Sequence, residues 1–75
     1  MFEKVKSIIV SNFEVKAKDV TAEAELAKDL SINSLELAVL VLALEEEFDI
    51  EISDKAVKKF ITVKDVVTYL EAAIQ

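Results

Sequence analysis

Cysteine, histidine, glycine, proline and tryptophan are all missing from this chain, and the first three gaps close off classes of function. Without cysteine or histidine there is no disulfide, no thiolate nucleophile, no imidazole base and no zinc site of the usual ligands. Without glycine, no phosphate-cradling glycine-rich loop can be written. Arginine is absent too: all nine basic residues are lysines and the net charge is −6, a poor match for nucleic acid. A chain of 75 residues makes one domain, taken as 1–75, and buries only a modest share of its surface. Domains of this size often add disulfides or a metal. Here packing must suffice, and a hydrophobic content of 53% fits that demand.

Long apolar runs are missing as well. The longest, Leu37 to Leu44, is eight residues, far short of the ~20 that cross a bilayer. Residues 1–12 interleave charge with apolar side chains, unlike a signal peptide. The expectation is a soluble cytoplasmic protein with no membrane insertion.

What charge there is lies unevenly. Between Ser34 and Asp54 stand seven acids (Glu36, Glu45, Glu46, Glu47, Asp49, Glu51 and Asp54) and no lysine. The rest of the chain holds eight acids against nine lysines. Such a field suits the steering of a basic partner. A helix face kept polar for solubility would look the same.

Apolar spacing predicts four helical segments and an all-α fold: a small four-helix bundle with a long first loop and a short third helix. Phe2, Val5, Ile8, Ile9 and Phe13 make one stripe, ending near Asn12 to Glu14. In residues 15–33, Thr21 to Leu26 can form a helical turn, while Val20, Leu26 and Leu30 read as anchors for a long loop, a feature often functional. Asn33 and Glu36 form a capping-box pattern that opens the second helix, with Leu37, Leu40, Val41, Leu44 and Phe48 facing the core. Phe48, Ile50 and Ile52 alternate with acids and suggest an extended connector. Ser53 caps a third helix from Asp54 to about Lys59. Thr62 and Asp65 cap a fourth, whose stripe is Val63, Val66, Val67, Leu70, Ala73 and Ile74.

That assignment leaves a surplus. If the second helix turns Leu40 and Leu44 inward, Leu35, Val39 and Leu42 point away, beside Glu36, Glu45 and Glu46. Either they form a docking patch or the long loop or third helix covers them. Catalysis has little to work with. No serine has an identifiable base beside it, the acids lack the spacing of a calcium loop, and no metal site is expected. The protein is expected to be no enzyme. Ser34 opens the apolar helix at the end of the long loop, where its hydroxyl would be exposed.

Three stretches carry a resemblance: K-D-L-S-I-N-S-L-E, then L-V-L-A-L-E-E-E-F-D-I-E-I-S-D, then I-T-V-K-D-V-V-T-Y-L. Together they resemble the type II fatty-acid acyl carrier proteins, along essentially the whole chain and most densely from Asp29 to Leu70. The resemblance implies a four-helix bundle whose serine, here Ser34, bears a covalent 4′-phosphopantetheine donated from coenzyme A. The thiol of that group holds acyl chains as thioesters, which accords with a chain that has no cysteine. It implies as partners a phosphopantetheinyl transferase and fatty-acid synthesis enzymes with basic docking patches, which would read Leu35, Glu36, Val39, Leu42, Glu45, Glu46 and Asp54 on a monomer. It places an acyl pocket near Leu44, Ile52 and Phe60. Several positions depart from the family pattern. Asn33 stands for the motif's aspartate, Ser31 for a glycine, Val39 for an acid and Phe60 for an isoleucine. A peptidyl-carrier Gly-Gly-x-Ser motif is absent. The competing reading is an unmodified carrier-like module that keeps the docking face without the prosthetic group.

Overall fold

The computed structural model describes residues 1–74. Four helices follow one another: α1 (Phe2–Asn12), α2 (Ser34–Phe48), α3 (Asp54–Val57) and α4 (Val63–Ala73). No strand is present among the described residues; a single antiparallel bridge, Glu25 with Thr62, is the only β pairing there. This is the small all-α bundle that the spacing implied.

In α1, Val5 and Ile9 are sealed in the core, and Phe2, Ile8 and Phe13 pack half-buried beside them. The helix ends where expected: Phe13 turns extended while its N–H still donates to the Ile9 carbonyl. Asn12 Nδ2 donates to the Ile8 carbonyl at 2.8 Å, folding its side chain back along the last turn.

The long connection is more ordered than its sequence suggests. A 3-10 turn at Ala17–Asp19 precedes the buried Val20. Residues 21–26 do not form the helical turn that T-A-E-A-E-L permits. Their backbone pairs across the molecule instead: Leu26 N–H donates to the Ile61 carbonyl (2.8 Å), Val63 N–H to Ala24 (3.0 Å) and Lys64 N–H to Ala22 (2.9 Å). Those carbonyls and amides would otherwise need partners within the loop. The anchors Val20, Leu26 and Leu30 are buried as expected, and Ala24 and Ile32 join them.

α2 buries Leu40 and Leu44 fully and Val41 nearly so, with Leu37 and Phe48 only half-buried toward its ends. Asp49 closes it in the left-handed region (φ 53°), and Ile50 to Ser53 run on without a helix until Ser53 Oγ accepts the Ala56 N–H. α3 stops at Val57, earlier than the expected Lys59. Lys59 and Phe60 donate to Ala56 and Val57, three residues back, and this tighter winding swings the Phe60 ring into the core.

α4 starts as the sequence proposed. Thr62 Oγ1 accepts the Asp65 N–H, and Asp65 Oδ2 accepts the N–H groups of Thr62 (2.9 Å) and Ile61 (3.1 Å). Bonding from the Thr62 backbone, above all, holds the Asp65 carboxyl below its ordinary pKa; partial burial opposes this, and the Ile61 amide, the Thr62 hydroxyl and nearby Lys64 reinforce it. Val63, Val66 and Leu70 are sealed, and Val67 is half-buried. The stripe then ends. Ala73 and Ile74, expected to continue it, are exposed: the helix ends at Ala73, and Ile74 already leaves helical geometry as the C-cap.

Candidate functional site

Ser34 is the first residue of α2 and is exposed. Its position is fixed from both sides. On the helix side, Asn33 Oδ1 accepts the Glu36 N–H at 2.8 Å and Glu36 Oε1 accepts the Asn33 N–H at 3.1 Å, a complete capping box. On the loop side, Leu30 and Ile32 are both buried, so the chain is pinned just before the serine. Between them Ser31 sits at φ 56°, the left-handed region that glycine occupies at no steric cost. The resemblance marked this position as a usual glycine, and the backbone shows why one would be favoured there. Sequence reading missed Asp29, whose Oδ2 accepts the Glu25 N–H at 2.8 Å and closes the turn that leads to Leu30. Its only sequence signal is an aspartate four residues past Glu25 at the end of an unassigned loop.

No histidine or cysteine exists to activate the serine. Among the described residues no cluster of acids is arranged to hold a metal ion.

The apolar surplus on α2 is uncovered. Leu35 is 81% exposed, Leu42 60% and Val39 48%, so neither the long loop nor α3 shields them. Beside them the expected acidic positions divide into two kinds. Glu46 and Asp54 are exposed, with Asp54 at the head of α3. Glu36 and Glu45 are half-buried and hold the backbone. Glu36 completes the cap, while Glu45 Oε2 accepts the Ile52 N–H at 2.7 Å and ties the connector after α2 back onto the helix. Nearby, Glu47 meets Lys4 at 3.8 Å across exposed side chains, a pair of small energetic weight.

Of the three residues placed at an acyl pocket, Leu44 is sealed and Ile52 and Phe60 are buried with a slight exposed edge. The Phe60 ring meets the Tyr69 ring edge-on, centroids 5.6 Å apart, and the two form one wall of a shallow groove between α3 and α4. The ring is thus both core and groove wall.

The exposed serine at the capped mouth of α2 and the uncovered apolar strip beside it form one continuous surface open to a partner. Comparison with known proteins gives the family. The family model described as "Phosphopantetheine attachment site" matches residues 3–70. The chain belongs to that family, among the acyl carrier proteins. It is 48% identical over 71 residues to the "Acyl carrier protein" of Helicobacter hepaticus, covering 95% of this chain and 93% of that one. It is 45% identical to the protein of the same name from Helicobacter pylori, covering 95% and 91%. No helix among the described residues is long and apolar enough to cross a membrane.

Proposed function

We infer that this protein carries acyl chains for fatty-acid synthesis enzymes, with Ser34 as the residue that takes up 4′-phosphopantetheine from coenzyme A. When attached, that group supplies the thiol that the chain lacks and holds the acyl group as a thioester. The observation that carries the assignment is the placement of Ser34: an exposed hydroxyl on a rigid turn, next to an exposed apolar strip that the fold does not need. Nothing in the cap blocks a large group there, since the neighbouring Leu35 side chain stands clear of the helix.

Leu35, Val39 and Leu42 supply the contact area for partners, and Glu46 and Asp54 supply free charge. Glu36 and Glu45 act chiefly by holding the ends of α2 in shape, each with one carboxylate oxygen left over. The acidic face of one copy repels that of another, which supports a monomer, and a chain without cysteine has no need of an oxidising compartment, which supports the cytoplasm.

Incubating the apo protein with coenzyme A and a phosphopantetheinyl transferase should add one prosthetic group by intact mass. Ser34→Ala should add none and keep its helical circular dichroism, because the Asn33 cap remains. Addition to the alanine variant would overturn the choice of Ser34. Absence of the group from protein isolated from its own host would favour the unmodified module.

The cargo has a reason to enter the core, because each methylene buried is worth about 0.8 kcal/mol. Leu44, Ile52 and Phe60 line the proposed route, and the bulk of Phe60 should set the length that fits. Thermal stability should rise with acyl length and then level off, and Phe60→Ile should move the levelling point to longer chains. Identical plateaus in the two proteins would remove Phe60 from the pocket.

A further inference from the structure

The apolar strip on α2 is too small to hold a partner alone. Leu35, Val39 and Leu42 span about two turns, roughly 10 Å of helix axis. A stable protein contact covers about 800 Å² and roughly 20–30 residues on each side. The surface must run on, and the pattern of α2 shows one direction. Leu35, Leu42 and Glu46 fall on one line of the helix, at steps of seven and four. Val39 and Ala43 lie successively further round, and Ala43 opens into a groove between α2 and α1. Val39 is the residue that stands for the family's acid, so in this chain strip and groove join without a charge between them.

Small side chains make that groove. Ser7 and Ser11, one turn apart on α1, and Ala43 on α2 line it, with the half-buried Ile8 beside them. It encloses about 780 Å³ open to solvent, and larger residues at these positions would close the gap between the helices.

Three acids also line it, and the fold accounts for two of them. Glu47 meets Lys4 at 3.8 Å, and the same ammonium lies over the Phe48 ring, 5.7 Å from its centroid. Glu3 is in the first turn of α1, where a carboxylate is favoured. Glu46 has neither reason. It is exposed, it stands in the last turn of α2 where the helix end disfavours an acid, and it has no ion pair among the described residues. The charge that the fold leaves unused at this groove is therefore negative.

We propose that the groove between α1 and α2 continues the docking surface, and that it receives one turn of a helix from the enzyme that loads acyl groups onto the prosthetic thiol, with a lysine or arginine of that helix directed at Glu46. The proposal rests on Ser34 bearing the prosthetic group and on the strip being a docking surface. A helix fits because a groove between two helices accepts the side-chain ridge of a third. The position selects the partner. Ala43 lies nine residues beyond Ser34, about 13 Å along the axis. A phosphopantetheinyl transferase has to bring its reacting atoms to Ser34 itself. An enzyme that acts on the thiol meets it at the end of a flexible arm, and is free to seat further along α2.

The test uses the full chain carrying phosphopantetheine and the host's own acyltransferase, at low salt, with wild type, Glu46→Gln, Ser7→Gln/Ser11→Gln and Glu71→Gln. Glutamine fills the groove with neutral side chains of higher helix propensity than serine, so a weaker helix does not account for slower loading. The filled variant and Glu46→Gln should each lower kcat/KM for loading about tenfold, mainly through KM. Added salt should shrink the deficit of Glu46→Gln. Glu71→Gln removes an exposed acid of α4 that does not line the groove, and should load as wild type does. Attachment of phosphopantetheine to the four apo proteins should run at one rate. Wild-type loading of the filled variant would overturn the proposal, and so would equal slowing of loading and attachment, which would make the groove part of the frame of α2. A slow filled variant beside a wild-type rate for Glu46→Gln would overturn the basic partner. If the filled variant does not fold, Glu46→Gln decides. Leu42→Ala separates the proposal from the reading beneath it: slow loading there, with wild-type loading in both groove variants, keeps the strip as a docking surface and removes the groove. A wild-type chain left unmodified at Ser34 would sink the attachment assignment and this proposal with it.

Discussion

α2 and α4 begin alike and are loaded differently. Each opens on a complete capping box, Asn33 with Glu36 in one and Thr62 with Asp65 in the other. α4 then spends its apolar residues on the core, with Val63, Val66 and Leu70 sealed and Val67 packed against them. Its outward positions are Lys64, Thr68 and Glu71. α2 buries Leu40, Val41 and Leu44 and still places Leu35, Val39 and Leu42 in water. One helix is as amphipathic as the fold requires, and the other exceeds that requirement. The excess lies beside Ser34, the proposed attachment site. In a domain this small an apolar strip that stabilises nothing points to a surface used by others.

The sharpest way to break that contrast is to shorten one leucine on each helix. Leu70→Ala on α4 should cost about 2–5 kcal/mol, because it empties a fully enclosed site. A 75-residue domain has only about 4–11 kcal/mol in total, so the variant should be partly unfolded in mild denaturant. Leu42→Ala on α2 should leave the urea midpoint within about 0.5 kcal/mol of wild type while slowing a partner enzyme. A large stability loss from Leu42→Ala would show that the strip belongs to the fold after all.

Much of this contrast is legible in the sequence because it is local. A cap and its partner three residues on, followed by apolar residues at three- and four-residue steps, need no knowledge of the rest of the molecule. Both capping boxes, the core faces of α1 and α2 and the outward strip follow from it. What escaped was non-local. The pairing of Ala22, Ala24 and Leu26 with Ile61 to Lys64 is made by backbone groups alone and leaves no side-chain signature. The early end of α3 answers to the demand that Phe60 reach the core, not to any poor helix former among Lys58 and Lys59. The left-handed turn at Asp49 carries no glycine to announce it, and the one at Ser31 was marked by the resemblance alone. Glu45 looks from its spacing like Glu46, and only the position of the Ile52 amide distinguishes it.

That distinction predicts a smaller effect within α2 itself. Glu45→Ala and Glu46→Ala each remove one acid from the same turn, so their difference isolates the bond from Glu45 to the Ile52 amide. The bond is charge-assisted and half-sheltered, and its loss should cost about 1–2 kcal/mol. Glu46→Ala should change stability little or improve it slightly by easing repulsion. Hydrogen exchange at the Ile52 amide should quicken in the first variant and not in the second. Equal stabilities would return Glu45 to the freely exposed acids.

The smallest expected effect concerns pH and the start of α4. Asp65 has a folded-state pKa below its ordinary value, chiefly because Thr62 donates its backbone N–H to the carboxylate. A depressed carboxyl pKa contributes stability that is fully present above the unfolded pKa, near 3.9. The contribution is lost as pH falls through the lower, folded value. Between pH 7 and 5 the stability gap between wild type and Asp65→Ala should therefore be constant. It should begin to narrow below about pH 4, as protons reach the carboxyl in the unfolded chain first. Thr68→Ala, which removes no titrating group from the exposed face of the same helix, should show no such narrowing. The measurement is a set of urea midpoints at pH 7, 5, 4 and 3 for the three proteins. A gap that stays fixed to pH 3 would mean that the Thr62 and Ile61 amides do not hold the charge of Asp65 in solution, and α4 would then depend on its apolar stripe alone.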